Sequence, residues 1–174
     1  MSLGGDFDVF ATRSRVGLIC EAIVALLAAN AEIAEFFGAD PLVIPAETPR
    51  IYRSTGLVPD RIAPFCVVRP VSKPRELQLN REAETILPVG IGVVYDEERD
   101  DLADGDQGLE ELTDAIDRVL VADQRLEAGG GGALADGISS FDPVDLIPLR
   151  ENEDGTIITL FVDRVVNYRY TELA

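Results

Sequence analysis

Asp and Glu supply 32 of the 174 residues and histidine supplies none, which narrows the chemistry open to this chain. Without histidine there is no Ser-His-Asp triad, no HExxH zinc site and no imidazole for acid–base work. Carboxylate pairs such as Glu97 with Glu98, or Glu110 with Glu111, are the kind that serve glycosidases and two-metal hydrolases. At this density of acids such neighbours arise by chance, and adjacent helical residues point in different directions. No GxSxG elbow, GxxxxGK[ST] loop or GxGxxG turn occurs, and the single lysine, Lys73, lies in a proline-flanked segment. A calcium loop begun at Asp100 would put Asp104 fifth, Gly105 sixth and Glu111 twelfth, but Leu102 at its third position cannot ligate. The stretch therefore reads as a solvated acidic surface. Cys20 and Cys66 sit among apolar residues with no CxxC partner and read as small buried hydrophobes, with nothing requiring a disulfide. The chain is expected to have no catalytic residues, no cofactor and no metal.

Charge placement says more than charge chemistry. Fifteen Lys and Arg leave a formal charge of −17, unsuited to holding free nucleic acid, which needs a cationic surface. Residues 50–81 run the other way, with seven cationic residues against Asp60 and Glu76, a net +5. Residues 96–117 carry eleven acids against Arg99, a net −10. Three readings compete for these patches. They are solvated or pair within one subunit, where surface pairs contribute only ~0–1 kcal/mol each. The basic segment binds an external anion or nucleic acid locally, as in a small-molecule or anion-binding regulatory domain using the arginines of 50–81. Or the basic segment of one copy meets the acidic segment of the next, a head-to-tail contact that closes into a ring when the rotation permits. In the third reading Arg50, Arg53, Arg69, Lys73 and Arg75 form the basic side. Asp96, Glu97, Glu98, Asp100 and Asp101 then form the acidic side or line a lumen.

These groups must be positioned by elements that the hydrophobic pattern outlines. Val16, Ile19, Cys20, Ile23, Leu27 and Ile33 recur at helical spacing and predict one helix over residues 14–37, buried on more than one side and stopped at Gly38. Arg13 and Arg15 before this apolar run loosely imitate an export signal. Glu21 interrupts the run, and Asp6 and Asp8 spoil the leader, so neither export nor a membrane span is expected. Seven prolines from Pro41 to Pro74 confine that region to short strands, plausibly Arg50–Arg53 and Phe65–Arg69. Leu87, Val89, Ile91, Val93 and Tyr95 alternate as in a half-buried strand. Gly90 and Gly92 on its other face suggest close approach of another backbone or a bend.

Leu109, Leu112, Ile116, Val119 and Leu120 predict a second helix, capped by Asp106, with Asp114 and Asp117 facing outwards. Gly129–Gly132 centre a mobile glycine-rich loop over 127–140. Val144–Glu151 and Thr156–Tyr170 flank an Asp154-Gly155 turn and form a hairpin. Its second strand is long enough to bend or to project, and Arg164 interrupts its apolar face. The whole reads as one α+β domain over 1–174, with a flexible arm at 1–13. Two main helices pack on one face of an antiparallel sheet.

The order of these elements resembles the minor tail and tail-terminator proteins of long-tailed bacteriophages and prophages. The residues that carry the likeness are Pro64-Phe65-Cys66-Val67-Val68-Arg69, Leu87-Pro88-Val89-Gly90-Ile91-Gly92-Val93-Val94-Tyr95, Gly108-Leu109-Glu110-Glu111-Leu112 and the closing Val165-Val166-Asn167-Tyr168-Arg169-Tyr170. The resemblance implies a tail-terminator-like α+β fold and an assembly role without catalysis or cofactor. It also implies a hexameric, homo-oligomeric ring that caps the tail tube and joins it to the head. Partners would be further copies and other tail and head-connector proteins, with DNA passing through an acidic lumen without sticking. The location implied is the virion, and the host cytoplasm during assembly.

Overall fold

The computed structural model describes residues 14–41, 48–53, 63–72, 74–79, 82–96, 105–151, 153–155 and 157–172. The arm expected at 1–13 lies outside them. Ser14 accepts from Gly17 N and opens α1, Arg15–Ala29. The expected single helix over 14–37 is two. Asn30 takes an extended conformation, and its Oδ1 accepts from Ile33 N at 3.1 Å to cap α2, Ala31–Phe37. The two helices meet at 92°. An asparagine carboxamide competes with the helical ladder for backbone N–H groups, which makes it a better cap than a helix interior. Among the described residues no single helix is long and apolar enough to cross a membrane.

Seven strands follow, all in one sheet: β1 Ile51–Arg53, β2 Phe65–Pro70, β3 Arg75–Leu79, β4 Glu82–Asp96, β5 Gly137–Phe141, β6 Asp145–Glu151 and β7 Ile157–Glu172. The third helix, α3, is Gly105–Ala122, so Asp106 falls inside its first turn and not at its cap. β4 and β7 form the spine, paired antiparallel from Ala83↔Glu172 to Asp96↔Thr159. Along the free side of β4 lie β3 and then β2; along the free side of β7 lie β5 and then β6. β1 adds to β2 in parallel, so the sheet is mixed, where the sequence suggested a purely antiparallel one. The expected glycine-rich loop over 127–140 is a run of turns that ends in strand: Gly137–Phe141 pairs with β7. Within those turns the Asp123 carboxylate accepts from Glu127 N and Ala128 N, both at 3.0 Å.

Period-2 alternation assigns the two faces of the spine. Leu87, Val89 and Val93 of β4 stand opposite Tyr168, Val166 and Val162 of β7, and all six are buried in the main core with Ile19, Ile23, Leu27 and Leu120. The three helices lie on this face. Arg164 also points to it, opposite Ile91. Its guanidinium reaches Asp117 of α3 through two bonds of 3.2 and 2.7 Å, and it lies 4.9 Å from the centre of the Phe141 ring. A bidentate arginine with a facing carboxylate satisfies its donors and can stand inside an apolar layer. Asp117 is thus turned towards the sheet, against the outward orientation its helical pattern implied.

The other face carries a smaller cluster of Phe65, Val67, Val94 and Phe161. Gly90 and Gly92 open a shallow bed between Arg69 and Phe161. A Cβ on Gly92 would come within 2.3 Å of the Phe161 ring, and one on Gly90 within 2.9 Å of the Arg69 guanidinium. The two glycines therefore admit neighbouring side chains, not the backbone or bend that the pattern suggested.

Candidate interaction surfaces

The basic side expected from sequence divides once the partners are seen. Arg69 Nη1 and Nη2 donate to the two Asp163 oxygens at 3.2 and 2.9 Å, and both side chains are almost wholly covered, at 13% and 12% exposure. The guanidinium also lies 5.1 Å from the centre of the Phe161 ring. Arg69 is opposite Gly90, while Asp163 is opposite Gly92. The guanidinium thus crosses β4 above residues that offer no side chain. Its charge is neutralised within its own chain by Asp163.

Arg53, at the end of β1, pairs with Glu21 of α1, with both partners at least one-third exposed. Such a pair contributes at most about 1 kcal/mol and is screened by salt. Arg50 donates from Nε to the Ala39 carbonyl at 3.2 Å and faces a cleft. Arg75 begins β3 opposite Ile86. Lys73, Glu97, Glu98, Asp100 and Asp101 lie outside the described residues. Asp96 ends β4 opposite Thr159 and reaches the same cleft as Arg50.

That cleft, about 940 Å³, runs between α2 and α3 over a floor that includes Phe37, Leu112 and Ala115. Glu32, Glu35, Asp96, Glu111 and Asp114 outnumber Arg50 and Arg118 on its walls. The sequence divided these residues among a helix, a strand and an acidic stretch. The bend at Asn30 brings α2 against α3 and gathers them, which pattern reading could not foresee. Among the described residues no group of three or more His, Cys, Asp or Glu is placed to hold a metal. The thiols of Cys20 and Cys66 are pushed up to about 11 and about 12, chiefly by burial, and are unsuited to nucleophilic work.

A second surface went unmarked in the sequence. β6 pairs with β7 alone among the described residues, and residues 142–150 are all exposed. Leu146 is 63% exposed, Leu149 50%, Ile147 44% and Val144 37%. Leu146 stands opposite Val162 and Ile147 opposite Phe161, so apolar side chains leave both faces of this edge strand. The signal was the run Val144-Asp145-Leu146-Ile147-Pro148-Leu149, apolar without alternation, where a half-buried strand would show period 2.

No protein-family model matches the sequence, and no curated protein matches it. Among solved structures, the fold is similar to that of a chain in the virion of a native gene transfer agent particle. The TM-score is 0.53 at 16% identity, over 88% of this chain and 95% of the other.

Proposed function

We propose that this chain is a structural subunit of a phage or phage-like virion, a tail terminator or related neck component. Identical copies assemble head to tail into a ring that caps the tail tube and joins it to the head. The observation that carries the reading is the shared architecture with a virion chain along nearly the full length of both. An edge strand with apolar side chains on both faces supports it, because monomeric proteins blunt such edges, and an assembly subunit covers them on docking. The role is assembly without catalysis or cofactor, in the virion and in the host cytoplasm while the particle is built. In the ring, the acidic balance of the chain gives a lumen past which DNA slides, since like charge keeps the duplex from adhering.

Immunogold labelling of intact particles tests this placement. Label confined to the junction of head and tail is the expected result. Particles with the gold scattered over the shell, or with none although the chain is expressed, would overturn the reading.

A further inference from the structure

Among the described residues β6 is paired on one side only, to β7, so its outer edge is bare. Monomeric proteins blunt such edges with charge, with twist or with a covering element. Here Leu146, Ile147 and Leu149 are all at least 44% exposed, and the strip stands uncovered. Asp145 and Arg150 at its ends are exposed as well, and neither forms an ion pair among the described residues.

The irregularity in this strand sets the spacing of its charges. Asp145 lies opposite Asp163 of β7, Ile147 opposite Phe161 and Arg150 opposite Thr159. The register shift passes over Leu149, so Asp145 and Arg150 stand two ladder steps to either side of Ile147. All three share the sheet face of Phe161, while Leu146 and Pro148 share the other. A two-fold axis through Ile147 therefore brings two β6 strands together antiparallel, with Asp145 against Arg150 of the second copy at both ends. Ile147 then meets its own counterpart, and Leu146 meets Pro148 on the opposite face. The neighbouring registers fail. An axis through Pro148 sets Asp145 against Glu151, like charge on like, and one through Leu146 sets Ile147 against Asp145.

We propose that the β6 edge docks on the β6 edge of a second copy of this chain in that register, a two-fold contact that covers the apolar strip. It is isologous, unlike the head-to-tail contact of the ring, and it does not depend on the ring reading. Burial of Leu146, Ile147 and Leu149 supplies the affinity, and the opposed Asp145 and Arg150 fix the register. Pro148 has no N–H to give the new neighbour, so the ladder is short and side chains on both faces carry most of the contact. Over so short a strip the pairing is weak and reversible, of the kind that holds a free subunit and yields to a larger interface.

Mild oxidation of the full chain carrying Ile147→Cys tests the contact, read as covalent dimer on a non-reducing gel. Directly opposed residues of antiparallel strands have Cα atoms about 4.5–5.5 Å apart, within the span of a disulfide. The native thiols, Cys20 and Cys66, are buried, so the wild type gives the background. Val121→Cys is the control for random collision, since Val121 is 49% exposed against 44% for Ile147 and lies off the strand. Covalent dimer is the expected main product from Ile147→Cys and a trace product from Val121→Cys. Asp145→Arg sets arginine against arginine at both ends, and Arg150→Asp sets acid against acid. Each alone is expected to weaken dimerisation about tenfold by mass in solution, and the two together to restore it. Circular dichroism verifies that every variant folds. The proposal is overturned if Ile147→Cys cross-links no better than Val121→Cys, if a single charge swap costs nothing, or if the double swap recovers nothing. The edge then takes a different partner, and the ring reading, tested on intact particles, is untouched. Gold label away from the junction overturns the ring and leaves this contact standing.

Discussion

Replacing Arg69 with methionine should destabilise the protein severely, although Arg69 lies in the segment whose positive charge first marked it as a docking surface. The change removes two hydrogen bonds and leaves the Asp163 carboxylate, 12% exposed, without its cation. Breaking a covered ion pair from one side costs about 3–5 kcal/mol, because the remaining charge stays desolvated. For a chain of this size each kcal/mol moves the melting midpoint by about 2–4 °C, so a fall of roughly 6–20 °C is expected. Thermal melts and urea titrations followed by circular dichroism would read it. Arg53→Met is the control, expected to cost at most about 1 kcal/mol, since its partner Glu21 is half exposed. Arg69→Met with Asp163→Leu should recover much of the loss, since the stranded charge is then gone. An Arg69→Met protein as stable as wild type would refute the view that this arginine serves the fold.

Gly92→Ala should cost about 1–3 kcal/mol or more, because its methyl would press into the Phe161 ring; an unchanged urea midpoint would contradict the close approach. Tyr168→Phe should leave stability unchanged or raise it by about 1 kcal/mol or more, since the hydroxyl is buried with no partner among the described residues. A marked loss on calorimetry would show that the hydroxyl is satisfied. The thiols of Cys20 and Cys66 are raised from 9.0 to about 11 and about 12, so the unfolded chain releases these protons first as pH rises. Their contribution to stability is constant below pH 9 and then falls, by about 1.4 kcal/mol per unit for each thiol, until the folded groups titrate. Urea midpoints that are flat from pH 8 to 11 would contradict this.

The spine of the sheet was legible because its residues obey one period. Leu87 to Tyr95 alternate without interruption, and the strand ending at Tyr170 alternates except at Arg164. That exception is explained by Asp117, forty-seven residues away, a pairing that no local pattern encodes. The bend at Asn30 was hidden for a different reason. Apolar residues continue at helical spacing on both sides of it, and only the capping capacity of the carboxamide distinguishes the break. The parallel addition of β1 to β2 joins strands separated by a proline-rich segment and leaves no periodic trace.

The candidate surfaces were legible only as charge. Net +5 over residues 50–81 was a sum, and a sum cannot tell Arg69, spent on Asp163, from the cations that follow it. The apolar edge at Leu146 and Ile147 was in view as sequence. In sequence it is simply one arm of a hairpin, because exposure on both faces is a property of the assembled sheet.

Sedimentation of the purified wild-type chain over a range of concentration and salt tests most directly whether identical copies bind one another. A closed oligomer of defined mass is expected, six copies by the tail-terminator likeness. A single monomeric species at every concentration and ionic strength, including in the presence of tail tubes, would contradict the account.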